Sequence, residues 1–284
     1  MGITTALAAL TRGDREEART AATHADGLLA RALARHLSGP AAGHVYDQPA
    51  AFGAFIAGGG NVGLYAAVVD VLAATYATRL PDSLLDVGCG DGRALVPALH
   101  RGHRPDHISL VEPSAALLAA AERALIGPVV SYNTTVQDFL TATRDRFDLV
   151  QSTFALHALP HDERDTVLAA LRPRTDVLAV VEFDVPDLAH GTPGHLEFLA
   201  DAYERGLAEY EHEHEGDLVA QGFLMPVLTG QLLPGAVRAT WEQPADSWAR
   251  QVAKAGFADV TTTRLHDYWW SPAFLLTARG GPDA

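Results

Sequence analysis

The stretch LLDVGCGDG, residues 84–92, sets Gly88, Gly90 and Gly92 two apart among two acids, Asp86 and Asp91. Glycines so spaced let a backbone turn tightly and aim its N–H groups at a ligand that a side chain would keep away. Nucleotide binders turn this device on phosphates, but here a phosphate would face two uncompensated carboxylates. The third glycine of G-x-G-x-x-G is out of place, and the lysine of a Walker loop is absent. The two acids favour a ligand that carries an amino group or a sulfonium and no phosphate.

Other candidates stand at the ends of further apolar runs. Glu112 closes SLVE about 20 residues past the glycine turn, the interval that a strand–helix–strand unit imposes. His157, in FALHAL, follows another run, and an imidazole suits general-base work at neutral pH; a packing histidine in a loop has the same signature. EHEHEG offers His212 and His214 as metal ligands. Residues two apart on a helix diverge, so the expectation is a solvated acidic turn and no metal. DYWWSP places Tyr268, Trp269 and Trp270 before the last apolar run, where they either pack an insertion or form an apolar, cation-binding wall for a substrate.

These residues need strands and helices to position them. Residues 83–184 alternate SLLDVG, HISLVE, VVSYNT, FDLVQST and DVLAVVEFD with helical stretches that begin near Arg93, Ser114, Gln137 and Asp162. Such alternation predicts an α/β fold, a parallel sheet with helices on both faces. Residues 1–80 are alanine-rich with helical periodicity, broken by a loop at GPAAGHVYDQPA, and a helix runs from about Val62 to Tyr76. After Asp184 the rhythm lapses over 190–243, then returns with a helix at SWARQVAKAGF and the strands DVTTTRL and AFLLTAR. The expected organisation is a helical N-terminal cap over 1–80 and a core over 81–284, with a substrate-binding insertion at about 190–243.

Composition narrows the partners. A net charge of −14 argues against a nucleic-acid backbone and favours a neutral or cationic small molecule. Cys89 is the single cysteine, so no intrachain disulfide forms and a reducing, cytoplasmic setting is expected. The N-terminal stretch lacks the basic and apolar regions of a secretory signal, and no apolar run is expected to span a membrane. The expected partners are a small-molecule substrate and a second copy of the chain.

S-adenosylmethionine (SAM) has an amino group and a sulfonium and no phosphate, and at this point the chain resembles the class I SAM-dependent methyltransferases, with their Rossmann-like sheet. The resemblance covers about residues 60–184 and the last two strands. LLDVGCGDG looks like that family's first motif, which implies that Gly88 and Gly90 pass close under the methionine part, with Asp86 and Asp91 also counted among the cofactor-binding residues. Glu112 matches the acid that binds both ribose hydroxyls. In VQDFL, beside Gln137, Asp138 is implied to accept from the adenine amino group and Phe139 to pack on the ring. After the fourth strand, Ser152, Thr153 and His157 are implied to face the methyl group, His157 as the catalytic candidate. In GGGNVGLY, Asn61 or Tyr65 would contact the carboxylate of SAM, or Tyr65 is an ordinary helix residue. The implied cofactor is SAM, leaving as S-adenosylhomocysteine (SAH).

VVEFDVP, QGFLMPVLTG and DYWWSPA are similar to methyltransferases of 2-oxo acids in antibiotic biosynthesis, the 2-ketoarginine type in particular. That likeness implies C-methylation through an enolate, with Asp184, Glu182 or Glu197 pairing a guanidinium. Some relatives hold the enolate on a metal, which would draw on His157, His190, His195, His212 and His214. The alternatives are O- or N-methylation of another natural product, with His157 as base or with positioning alone, and a SAM-binding protein without catalysis.

Overall fold

The computed structural model describes residues 2–39, 49–236 and 238–281. Most of the loop expected at GPAAGHVYDQPA, residues 40–48, lies outside them. Seven strands form one sheet in the order β3-β2-β1-β4-β5-β7-β6. They are β1 (Ser83–Val87), β2 (His107–Val111), β3 (Val130–Tyr132), β4 (Phe147–Thr153), β5 (Thr175–Phe183), β6 (Ala258–His266) and β7 (Ala273–Arg279). The first five are parallel; β7 enters antiparallel between β5 and β6.

The chain divides into two compact units. The larger, 64–186 with 239–267 and 272–284, holds the sheet. Leu85, Val87, Val150, Leu178, Val180 and Leu276 are buried in its core, as expected of central strands covered on both faces. Its helices are α6 (Leu95–Arg101), α7 (Ala115–Ala124), α8 (Val136–Ala142), α9 (His161–Leu171) and α13 (Ala245–Lys254). Ser114 and Thr135 cap α7 and α8 by accepting from Leu117 N–H and Asp138 N–H. The helix expected near Arg93 begins at Leu95, because the glycine turn continues through Gly92 at φ +80° before the backbone becomes helical.

The smaller unit, 2–63 with 187–238 and 268–271, is helical. It contains α1 (Ile3–Thr11), α2 (Arg15–Thr23), α3 (Leu28–Ser38), α4 (Pro49–Ala57), α10 (Pro193–Tyr210), α11 (Gly216–Val219) and α12 (Met225–Leu232), with a π-helical turn at Ala220–Leu224. α5 (Gly60–Arg79) starts in this unit, whose boundary falls after Gly63, whereas the sequence suggested a cap reaching residue 80. α5 also corrects the expectation that no apolar run is of spanning length, since its 20 residues are long and apolar enough to cross a membrane. Its buried stripe of Leu64, Val68, Leu72 and Tyr76 repeats every fourth residue, and Tyr76 O–H donates to Gln151 Oε1 of β4 at 2.5 Å. That stripe is the signature of a helix packed within a fold.

The helical core gathers Leu7, Leu10, Leu33, Tyr203, Leu207, Met225 and Trp269. Trp269 is seated by the absence of a side chain at Gly206, where a Cβ would stand 2.7 Å from the indole ring. Overpacking at such a contact costs about 1–3 kcal/mol. Gly206→Val is therefore expected to lower the unfolding free energy by about 2 kcal/mol, read as a shift of the urea midpoint at constant slope.

Candidate active site

Parallel register places β1 between β2 and β4, with Asp86 beside Leu110 on one side and Gln151 on the other. The turns that follow these strands therefore leave the sheet at one edge, where ligands of open α/β sheets bind. In the turn after β1, Gly88, Gly90 and Gly92 have φ of +70°, +55° and +80°. A side chain at Gly88 would collide with Ala155 Cβ, so this glycine admits the turn that follows β4. At Gly90 the position of a Cβ has nothing within 4 Å, which leaves its backbone open to a ligand.

Two buried acids face this turn. Glu112 Oε2 accepts from Gly90 N–H at 3.1 Å and Oε1 accepts from Ser114 N–H at 2.8 Å. Each oxygen keeps a lone pair, enough for one hydroxyl apiece. Asp86 is 3% exposed, and its Oδ1 has no hydrogen-bond partner. Burial pushes its carboxyl up to about 7, against the opposing effect of the Gln151 amide and with that of the Glu112 charge. A buried acceptor without a partner fits a ligand that brings a donor or a positive charge.

Asp91 does not stand free. Its Oδ1 accepts from Arg93 N–H at 3.0 Å and its Oδ2 from the Arg93 guanidinium at 3.0 Å. The same guanidinium lies 5.7 Å from the centre of the Tyr65 ring, which meets Phe154 edge-on at 6.3 Å. Burial raises the Tyr65 pKa, so it stays a neutral donor. Phe154, at φ +51°, stacks on Phe183 at 4.5 Å. The carboxylate contact expected of Tyr65 thus has a cationic neighbour that the sequence reading overlooked. Arg93 follows directly on the glycine turn, and that adjacency to Asp91 was the signal.

The end of β4 carries the other chemistry. His157 sits in the turn Leu156–Ala158, and Glu182 Oε1 accepts from its backbone N–H at 3.1 Å. His157 Nδ1 is 2.7 Å from Glu182 Oε2. A carboxylate only accepts, so Nδ1 carries the proton and Nε2 of the neutral ring is left with its lone pair outward from the pair. Burial pulls the His157 pKa down, but the charge and hydrogen bond of Glu182, with the charge of Glu242, outweigh burial and Arg164 and hold it above the ordinary value. Sequence reasoning placed Glu182 among partners for a guanidinium. Its position as a lone acid in the apolar run VLAVVEF was the usable signal, since a buried carboxylate needs a partner.

Several expected residues have other occupations. Ser152 O–H donates to Val87 O at 3.0 Å, tying β4 to β1, and Thr153 Oγ1 is buried without a partner. Phe139 faces the core, 2% exposed, 4.8 Å from the Tyr132 ring; an adenine stacked on it would have to displace that packing. Asp138 is exposed and accepts from Thr135 O–H at 2.9 Å, while Gln137 Nε2 donates to Glu163 at 3.1 Å. Asp184 Oδ1 accepts from Ala245 N–H at 2.8 Å, the first residue of α13. In the helical unit, Trp269 is buried against Tyr203 and Phe55, Trp270 meets Phe198, and Tyr268 O–H donates to Asn61 Oδ1 at 2.9 Å. His212 and His214 are exposed in the turn after α10, and no group of three or more metal-binding side chains occurs among the described residues.

Asp86 gives a prediction with a definite sign. Between the ordinary carboxylate value and about 7 the folded chain holds a proton that the unfolded chain has lost. The contribution of this residue to stability therefore falls as pH rises through that window. Asp86→Asn removes the titration, so the stability of the variant relative to the parent should increase from about pH 5 to about pH 8, measured by urea unfolding at both.

Residues 84–175 match the family model described as a methyltransferase domain. No curated protein sequence matches the chain. Among solved structures, magnesium protoporphyrin IX methyltransferase from Synechocystis with bound SAH is similar, at 16% identity and a TM-score of 0.51, over 88% of this chain and 94% of that one. An O-methyltransferase family protein from Burkholderia thailandensis is 14% identical with a TM-score of 0.51 over 97% of this chain, which spans 64% of the length of that protein. The open backbone at Gly90, the two lone pairs on Glu112 and the orphaned oxygen of Asp86 fit the cationic, phosphate-free SAM. Glu112→Ala should accordingly cost about 1.5–3 kcal/mol of SAM affinity, as the loss of hydrogen bonds to a charged group does, measured by calorimetry. Residues 84–175 thus match a methyltransferase domain, and the sheet that carries them has the class I methyltransferase fold.

Proposed function

We propose that the acceptor is a small molecule whose reacting atom must shed a proton, and that His157 is the base that takes it. The observation that carries this reading is the 2.7 Å contact between His157 Nδ1 and Glu182 Oε2. A buried carboxylate on one nitrogen fixes the tautomer, aims the ring and stabilises the imidazolium that forms when the other nitrogen takes a proton. SAM, when bound, supplies an electrophilic methyl group on sulfonium. The residues of this chain do the rest. Glu112 and the glycine turn hold the cofactor, Arg93 and Tyr65 stand where its carboxylate would be met, and His157 deprotonates the acceptor. Alignment of donor and acceptor supplies a further part of the rate.

A hydroxyl needs only this base, and O-methylation of a natural product is the reading we favour. C-methylation of a 2-oxo acid of the 2-ketoarginine type is the second. It is supported by the charge of Glu242 beside the base, a partner for a cationic side chain. Of the other carboxylates considered for that role, Glu182 is engaged with His157 and Asp184 with α13. The single cysteine is the reason for placing the enzyme in the cytoplasm.

The test combines labelled SAM with a panel of small hydroxyl compounds and 2-oxo acids. Turnover of a hydroxyl alone supports the first reading. Methylation of a 2-oxo acid, together with deuterium exchange at its α-carbon in the presence of a non-methylating SAM analogue, replaces it with the second. With the acceptor so found, His157→Gln should lower kcat by about 10²–10⁴-fold while leaving SAM affinity unchanged. The acid limb of kcat should lie above the ordinary histidine pKa, because the base must lose its proton first. Glu182→Gln should move that limb to lower pH and slow the reaction, since the anion that favours the imidazolium is gone.

A further inference from the structure

Arg164, in α9, is fully buried at 0% exposure, and Nε and Nη1 of its guanidinium carry its hydrogen bonds while Nη2 makes none. Its guanidinium lies over the Trp248 ring, 3.9 Å from the centre. Nε donates to Gln251 Oε1 at 2.8 Å, and Nη1 donates to Leu156 O at 3.3 Å and to Trp241 O at 3.0 Å. Gln251 is itself anchored, its Nε2 donating to His161 O at 2.9 Å and to Asp165 Oδ1 at 2.7 Å.

The two carbonyls held by Nη1 belong to the segments that carry His157. Leu156 opens the turn Leu156–Ala158, and Trp241 N–H donates to His157 O at 2.7 Å. Trp241 is thus gripped at its N–H by the histidine and at its carbonyl by the arginine. The contacts close a ring from Arg164 through Leu156, His157 and Trp241 back to Arg164. Glu182 holds the imidazole, but the backbone beneath the imidazole is fixed by this ring. The charged groups that face His157 are Glu182, Glu242 and Arg164, so Arg164 is also the cation set against two acids.

We infer that Arg164 is a positioning residue: by holding Leu156 and Trp241 it fixes the turn from which His157 presents Nε2, an inference that rests on the reading of His157 as the base. Neither a hydrophobic residue nor a lysine reproduces it. A guanidinium stacks on a ring while its planar fork reaches acceptors at separate angles, whereas an ammonium is a point charge on a flexible stem.

The experiment uses the full-length protein and needs no acceptor. A proton held between His157 Nδ1 and a buried carboxylate gives a low-field, slowly exchanging NMR resonance, assigned by its loss in His157→Gln. Arg164→Lys keeps the cation and loses the two-carbonyl grip, so the resonance should broaden into exchange. Arg164→Met should lose it and lower the pH midpoint of His157, because the Glu182 hydrogen bond that favours the imidazolium outweighs the opposing charge of Arg164. In both variants SAM affinity, by calorimetry, should stay within about threefold of the parent, as expected for sites without shared partners. The inference is overturned if the resonance and midpoint survive both substitutions, or if SAM binding collapses together with them, which would mark general damage to the fold. If Arg164→Met does not fold, the lysine variant decides by the same resonance. Absence of the resonance from the parent protein would remove the dyad and the inference with it. Full turnover by His157→Gln would instead remove the base reading alone, because the effect of Arg164 on the resonance is read without turnover.

Discussion

The parallel register of β1 between β2 and β4 is the constraint from which the site follows. Parallel strands deliver their carboxyl ends to one edge, and the backbone groups that end a strand there need acceptors beyond the ladder. Val111 O takes Gly88 N–H at 2.8 Å and Cys89 N–H at 3.4 Å, which bends the turn toward β2. The acid that ends β2 then accepts from Gly90. A slip of one residue would turn Asp86 to the opposite face of the sheet and break each of these contacts. Gly88 also has to let the turn after β4 pass against it, and that turn leads to His157. Close approach at a single glycine thus couples the glycine turn to the turn that carries His157.

Around this edge the protein buries Asp86, Glu112, Glu182 and Arg164, each at under one-tenth exposure. An ionised group removed from water is tolerated only when its field is answered locally. The four are answered in four ways. Glu112 takes two backbone N–H groups. Glu182 takes two N–H groups of His157, one from the backbone and one from the ring. Arg164 is met by carbonyls, an amide and an indole face. Asp86 is left with an orphaned oxygen and a pKa pushed up to about 7, poised between the two charge states.

The helical unit applies the same logic to its own backbone. Glu204 accepts from Leu28 N–H at 2.7 Å and Leu29 N–H at 2.8 Å, supplying the cap that Gly27 cannot give α3. Glu213 and Glu209 accept from Gly59 N–H and Gly60 N–H at the start of α5. A Cβ at Gly59 would stand 2.6 Å from the Tyr210 ring, whose hydroxyl donates to Phe55 O at 2.7 Å. Three successive glycines therefore let Glu209 and Tyr210 of α10, and Glu213 of the turn after it, reach the backbone directly. Carboxylates at a helix N-terminus also complement its dipole.

The sequence by itself determined the strand–helix alternation, the glycine turn and the acid ending β2, because these are local: periodicity, φ > 0 and a fixed interval are written in neighbouring residues. It identified His157 as the candidate base and Glu182 as one of three acids that could pair a guanidinium, but not that the two meet. Their contact depends on β4 and β5 lying side by side, which places residues 25 apart within one hydrogen bond. The resemblance implied that Phe139 packs on the adenine ring, whereas in the fold it is buried against Tyr132 and Phe147. Asp91 looks like a free acid until Arg93 folds back on it. Arg164 looks like a solvated helix charge, and its role exists only once α9, α13 and the segment at Trp241 enclose it. Local geometry is encoded by adjacency, whereas the partner of a buried charge is chosen by the packing of distant segments, and that choice belongs to the tertiary structure.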